Sequence, residues 1–336
     1  MWTLGVDYGT GSWKMALLED GAPRDLVALA TMDEAVAYVR QRWEERPGLP
    51  ITLPSGFGVP LMRLSEAGPA ELFAMSLRKG DPAGDGLGLF LRRLQVAGVD
   101  GYCPPAVKLL PSVPRWRTFN RVDMGTSDKL CAAAYLIELL HRRDDVAYAD
   151  LSFLSLEVGY AFTCWLVVCQ GQIVDGVGGT GGAMGPRCRG AIDGELAYLH
   201  GFASKADIYG GGAHDLAALY GAADAERAFW EGLEMQRLAL SAYYDLRLLV
   251  VSGRRRNEAR ARWAASLGDS LSILHDDDAG FEPALGGALL ADGLEGGPHA
   301  ALVDRLGIRE ATGHPLDGIA WGSAASPQPD GVSTHG

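Results

Sequence analysis

The feature that most constrains this chain is a strand–turn–strand pattern at its start, Trp2-Thr-Leu-Gly-Val-Asp7-Tyr-Gly9-Thr10-Gly11-Ser12-Trp-Lys14-Met-Ala-Leu-Leu18. An apolar run ends in an aspartate, passes through glycines and hydroxyls, and re-enters an apolar run that stops at Glu19-Asp20-Gly21. Such a pattern predicts a β-hairpin whose tip presents backbone N–H groups, hydroxyls and a lysine. A tip of that kind suits phosphate oxygens, and Asp7 suits a magnesium ion or its water. Two other phosphate loops are excluded by spacing. A Walker loop needs Gly-Lys-Ser/Thr opening a helix, and a dinucleotide loop needs G-x-G-x-x-G opening a helix. The residues after Ser12 read instead as a strand.

The pattern recurs. Leu151-Ser-Phe-Leu-Ser-Leu-Glu157-Val-Gly159-Tyr-Ala-Phe-Thr163 again runs apolar, acidic, glycine, hydroxyl, apolar, with Cys164 to Gln170 as the return strand. Two halves that start alike are the signature of a duplicated fold. Between the hairpins, Asp33 to Arg46 predicts a helix stopped by Pro47, and Ile51 begins a strand that enters a Pro/Gly loop. Residues 78–90 read as a mobile loop or lid. A helix is expected from about Ser127 to Arg143, capped by Ser127 or Thr126, with Leu130, Ala134, Ile137 and Leu140 on one face. In the second half, a long helix is expected from about Ala222 to Leu246, a buried strand at Leu248–Ser252, and a helix from Arg256 to Leu267. A last helix spans about Glu282 to Leu294, and the tail from about Gly322 has no apolar period and is expected to be disordered. The domain expectation is therefore 1–150 and 151–321, with 322–336 as tail.

Composition bounds the function classes. The apolar fraction of 48% supports two ordinary cores, and no apolar run reaches membrane-spanning length. The N-terminus lacks a basic region followed by an apolar signal segment, so a cytoplasmic protein is expected. Five cysteines without C-x-x-C or zinc spacing read as reduced, mostly buried thiols. The net charge of −12 argues against nucleic acid as a general partner. Basic residues nevertheless cluster at Arg115–Arg121 and at Arg254-Arg255-Arg256 with Arg260 and Arg262.

Several constellations carry chemistry. The two hairpins, each an acid beside N–H donors, can hold the phosphates of one nucleotide between them. Asn120-Arg121-Val-Asp123-Met-Gly125-Thr126-Ser127-Asp128-Lys129 feeds a Gly-Thr-Ser turn into a helix N-terminus, with Arg121 for a transferring phosphoryl group and Asp123 or Asp128 for metal or base. From Gly176 to Gly185 there are six glycines in ten residues, including Gly178 and Gly179, followed by Arg187, Arg189 and Asp193. Such a backbone suits close approach to a ligand, and the arginines suit a carboxylate. Val250-Val-Ser-Gly253-Arg254 is a strand leaving through glycine, against which a flat ring can lie.

In their order these motifs resemble the acetate and butyrate kinase branch of the acetate kinase, sugar kinase, Hsp70 and actin superfamily. The resemblance is nearest to a family described as predicted butyrate kinases and covers the chain to about residue 320. Gly125-Thr-Ser-Asp128-Lys129 stands where acetate kinases carry G-T-S-H-K. Leu156-Glu157-Val-Gly159-Tyr160 resembles H-L-G-x-G. Arg189-Gly-Ala-Ile-Asp193 resembles R-S-G-D-I-D, slightly out of register. Val251-Ser-Gly253-Arg-Arg-Arg-Asn257 loosely resembles the adenosine motif, and Gly286–Gly293 the closing helix. There are departures: Asp7 stands for an asparagine, Asp128 and Glu157 for histidines, and the adenosine loop lacks a glycine. The resemblance implies an α/β fold of two actin-like (ribonuclease H-like) domains with a nucleotide cleft between them, and a possible homodimer.

The expected function is an ATP-dependent kinase of a small carboxylic acid. In that reading Asp7, with Asp123 or Glu157, holds Mg2+. Gly9, Thr10, Gly11, Ser12 and Lys14, with Gly159, Tyr160 and Thr163, hold phosphates. Gly178 and Gly179 line the nucleotide, and Gly253, Arg254 and Asn257 flank adenosine. Arg121, Asp123, Asp128, Arg187 and Arg189 are the candidate catalytic residues. Two alternatives remain: a hydroxyl acceptor such as a sugar, with Asp123 or Asp128 as base, and an ATP-binding switch or activator ATPase.

Overall fold

In the computed structural model, which describes residues 1–321 apart from 10, 82, 203 and 274–279, the opening pattern forms the predicted hairpin. Strand β1 (Trp2–Gly9) pairs antiparallel with β2 (Ser12–Glu19), placing Asp7 opposite Lys14 and Gly9 opposite Ser12. Alternation sends Leu4, Val6, Met15 and Leu17 into one core and Ala16 and Leu18 into another, so both faces of the hairpin are buried. Strand β3 (Ala22–Leu29) completes an antiparallel meander, with Leu26, Val27 and Leu29 half-buried against the cores. Helix α1 (Met32–Glu45) starts with a capping box, in which the Glu34 N–H donates to the Thr31 hydroxyl and the Thr31 N–H to the Glu34 carboxylate. Strand β4 (Ile51–Thr52) lies parallel to β1.

The middle of this half is more helical than its composition suggests. Strand β5 (Met62–Arg63) and helix α2 (Pro69–Ser76) precede helix α3 (Gly86–Val96). The expected 78–90 lid is thus a loop only to Asp85. Leu87, Phe90, Leu91 and Leu94 recur at helical spacing and bury completely or nearly so, which overrides the glycines at Gly86 and Gly88. Strand β6 (Tyr102–Cys103) lies between β4 and β5 in a sheet of order β3-β2-β1-β4-β6-β5. Helix α4 (Ser127–Asp144) has the expected extent, with Thr126 at its N-cap position.

The second half repeats the plan. Strands β7 (Phe153–Val158), β8 (Thr163–Cys169) and β9 (Gln172–Val177) form an antiparallel meander. Helices α5 (Gly194–His200), α6 (Lys205–Tyr209), α7 (Ala213–Tyr220) and α8 (Ala222–Tyr244) come next. Strand β10 (Leu249–Gly253), helix α9 (Arg256–Leu267) and strand β11 (Leu271–Ile273) complete a sheet of order β11-β10-β7-β8-β9, with β10 parallel to both neighbours. Outward from each meander, β3-β2-β1-β4-β6 and β9-β8-β7-β10-β11 are the same arrangement. The sequence echo is a structural duplication.

Contact density divides the chain into two units. One comprises Met1–Val122, Thr126–Ala149 and the described residues from Phe281 on; the other comprises Asp123–Gly125 and Asp150–Gly280. The single cut expected near 150 therefore becomes two excursions, because the C-terminal helices return to the first unit. Helix α10 (Glu282–Leu294) is buried along its whole length, and helix α11 (Ala300–Leu306), absent from the sequence expectation, succeeds it. The packing is backbone to backbone. A β-carbon on Gly5 would lie 1.8 Å from the Ala284 carbonyl oxygen, and one on Gly286 would lie 1.7 Å from that of Cys131 in α4. The first unit is also fastened by Lys108, 6% exposed, whose ammonium donates to the carbonyls of Arg121, Pro315 and Asp317 at 2.6–2.7 Å. Among the described residues no helix is long and apolar enough to cross a membrane, and none of the five cysteines forms a disulfide. The expected tail beyond 321 lies outside the described residues.

Candidate active site

On the first unit the site centres on the β1–β2 tip. Asp7 is 3% exposed, and its Oδ2 lies 3.7 Å from Lys14 Nζ directly across the ladder. Gly9 sits above this pair: a β-carbon there would approach the Ser12 carbonyl oxygen to 3.0 Å, Asp7 Oδ2 to 3.5 Å and Lys14 Nζ to 3.6 Å. A side chain would fill the space beside the carboxylate and ammonium, so glycine keeps it open. The tip is anchored by aromatic stacking. Tyr8 stacks on Trp13 with centroids 4.4 Å apart, and Trp13 packs on Phe90 of α3 at 4.3 Å. Gly11 is exposed, Ser12 half-buried, and Thr10 lies outside the described residues.

At the start of α4, the Ser127 hydroxyl accepts from the Ser55 N–H at 3.0 Å, and the Ser127 N–H donates to the Gly56 carbonyl at 2.7 Å. Thr126 takes the expected N-cap position, but its side chain makes no capping hydrogen bond. The Thr126 hydroxyl instead donates to Asp128, and Lys129 Nζ lies 2.7 Å from Asp128 Oδ2. Burial works to raise the Asp128 carboxyl, but the Lys129 charge and these hydrogen bonds outweigh it and hold the group below its ordinary value. Arg121 is half-buried, and its carbonyl is held by Lys108.

On the second unit the β7–β8 tip repeats the design. The Gly159 N–H donates to the Phe162 carbonyl at 2.9 Å, and a β-carbon on Gly159 would lie 3.5 Å from Glu157 Oε1. Glu157 pairs with Cys164, as Asp7 does with Lys14, and the buried Thr163 opens β8 as Ser12 opens β2. The glycine-rich loop lies directly on Asp123. β-carbons on Gly178 and Gly179 would come within 2.6 and 2.5 Å of its carboxylate oxygens, and its Oδ1 accepts from the Gly125 N–H at 2.9 Å. Burial pushes the Tyr209 phenol up to about 12, with the Asp123 charge adding to the rise. Burial also raises the Cys188 thiol. These two neighbours carried no sequence signal, because Tyr209 ends a helix of five residues.

The arginines separate into two kinds. Arg189 donates to the Ile208 and Asp207 carbonyls at 2.9 and 2.7 Å. Asp193, the acid of the same string, caps α5 by accepting from the Glu195 and Leu196 N–H groups. Arg255 pairs with Glu226 and Glu258, and the buried Arg256 donates to the Gly253 carbonyl. Arg187 and Arg254 are exposed and face one ring, with guanidinium carbons 4.5 and 5.0 Å from the Tyr160 centroid. Gly253, at φ +86°, takes a left-handed conformation in which a β-carbon would lie 2.4 Å from the Val158 carbonyl oxygen. The β10 exit therefore rests on the β7 exit. Asn257 is exposed on the first turn of α9. Among the described residues no three His, Cys, Asp or Glu side chains gather as a metal-ligating group.

A model for the family described as protein of unknown function (DUF1464) matches residues 5–321. Among curated proteins none matches the chain by sequence. Solved structures do match in fold. A propionate kinase from Francisella tularensis subsp. tularensis SCHU S4 is 13% identical, with a TM-score of 0.59 over 85% of this chain and 98% of that one. An acetate kinase from Entamoeba histolytica is 11% identical, with a TM-score of 0.54 over 80% of this chain and 86% of that one. That of Porphyromonas gingivalis is 12% identical, with a TM-score of 0.53 over 80% and 87%. The fold of this chain is the actin-like α/β fold of those enzymes.

Proposed function

The chain belongs to the family described as protein of unknown function (DUF1464), and on that premise we propose that it is an ATP- and Mg2+-dependent kinase of a small carboxylic acid, similar to butyrate kinases. The observation that carries the reading is the Asp7–Lys14 pair beside Gly9, a buried carboxylate and an ammonium next to a backbone turn kept open for a ligand. Magnesium in phosphoryl-transfer sites is held by one or two carboxylates together with phosphate oxygens and water, and a buried carboxylate such as Asp7 fits that role. The metal supplies charge neutralisation on the phosphates. Lys14 and the turn N–H groups orient phosphate oxygens on the first unit; Gly159, Thr163 and Glu157 have the matching roles on the second. Asp123 is a further candidate for the metal or its water, and Arg187 for the transferring phosphoryl group.

The acceptor assignment rests on charge. A carboxylate acceptor is already ionised near neutral pH, so its oxygen attacks the γ-phosphorus as the bond to ADP breaks, and no proton need be removed. A hydroxyl acceptor requires a base. Of the two candidate bases, Asp123 is given to the metal, and Asp128, held below its ordinary value by Lys129, is a weak one, which favours the acid. The test is an ATP-consumption screen with Mg2+ across short-chain, branched and hydroxy acids, with the product trapped as hydroxamate. Turnover giving hydroxamate is expected. Turnover only with sugars, giving a stable phosphate ester, would reject the carboxyl acceptor, and acceptor-independent hydrolysis would point to a switch.

A further inference from the structure

The two arginines that face Tyr160 on the second unit come from different segments. Arg187 succeeds the glycine-rich loop, and Arg254 succeeds β10; each faces Tyr160 on the β7–β8 tip. Their guanidinium carbons are therefore within about 10 Å of each other, close enough for one extended anion to touch both. Neither forms an ion pair among the described residues, whereas the neighbouring Arg255 has both Glu226 and Glu258. In a chain of net charge −12, cations gathered without acidic partners are not accounted for by surface balance.

Their setting is equally specific. β7 and β10 run parallel, with Gly253 in register with Val158, so Tyr160 and Arg254 both lie just beyond the carboxyl ends of adjacent parallel strands. In open α/β sheets that edge is where ligands bind. The ring, 39% exposed, supplies a flat support that holds both guanidinium groups by cation–π contact while leaving their N–H donors to solvent.

We propose that Arg187, Tyr160 and Arg254 form a single seat for the polyphosphate chain of the nucleotide, with Arg254 as its distinguishing cation. This rests on the kinase reading for the identity of the ligand, since a polyphosphate carries several charges along a length that spans two cations. The seat makes affinity depend on the number of phosphates rather than on the base.

The test uses the full chain and titrates ATP, ADP, AMP and inorganic tripolyphosphate calorimetrically into wild type, Arg254→Gln, Arg254→Lys and Arg187→Gln, with thermal melts as the folding check. Arg254→Gln is expected to weaken ATP and tripolyphosphate at least tenfold and AMP less than twofold. Arg254→Lys should recover part of the loss. Unchanged ATP and tripolyphosphate affinity in Arg254→Gln overturns the proposal. So does a defect confined to the KM of the acceptor acid, which would assign the seat to the acceptor. If wild type binds tripolyphosphate but no nucleotide, and Arg254→Gln weakens it, the seat stands and the kinase reading falls. If wild type binds neither, the seat falls.

Discussion

At the scale of single residues, the carboxylates differ in what surrounds them. Asp7 is buried beside the Lys14 ammonium at 3.7 Å, an ion-pair separation, with Gly9 above the pair. Asp7→Ala is expected to lower ATP-dependent turnover on the order of 100-fold, as removal of one preorganised electrostatic group does, with little change in the thermal midpoint. Full turnover in that variant would remove Asp7 from the site. Asp128 is governed by Lys129. With Lys129→Met the charge that opposes the effect of burial is lost, so the Asp128 carboxyl should titrate higher than in wild type, as read by carbon-detected NMR. A native value below the unfolded one contributes stability present above the unfolded value and lost as pH falls through the native value. Lys129→Met should therefore flatten the acid limb of the pH–stability curve.

At the scale of elements, close helix contacts decide residue choice. Glycine to alanine inside a helix ordinarily gains about 1 kcal/mol. Gly286 on α10 faces the Cys131 carbonyl oxygen of α4, with 1.7 Å left for a β-carbon. Gly286→Ala is therefore expected to destabilise, by about 3 kcal/mol, because neither backbone can yield without moving its helix. A chemical denaturation midpoint equal to or above that of wild type would refute this close packing. The two hairpins obey a different logic. There glycine keeps space open beside an acid, at Gly9 and Gly159, and the strands around them are held by ordinary alternation. Helix α3 shows the limit of reading glycine and aspartate as loop, since four apolar residues at helical spacing outweighed them.

At the scale of the whole molecule, the first unit closes only when the end of the chain returns. Helix α10 is buried throughout, and Lys108 holds two carbonyls from residues 315 and 317. Truncation after Gly280 is expected to abolish amide protection in residues 2–19 and 127–144 while leaving that of 153–169, measured by hydrogen exchange. Equal protection of β1 in the truncated and full chains would contradict the dependence. Both hairpins, the helices at 127–143, 256–267 and 282–294, and the duplication itself were legible in the sequence, because strand alternation, helical periodicity and turn glycines are local signals. Also legible was the set of candidate acids, glycines and arginines, whose types declare their chemistry. Which of them stand together was not. Asp123 lies on Gly178 and Gly179, more than fifty residues away. Arg189 turns to backbone carbonyls while Arg187 and Arg254 meet at one ring. Those outcomes depend on long-range packing of surfaces with no local period, and so only the tertiary structure decided them. Sequence alone determined the two acid-and-glycine hairpins; the folded chain determined which cations answer them.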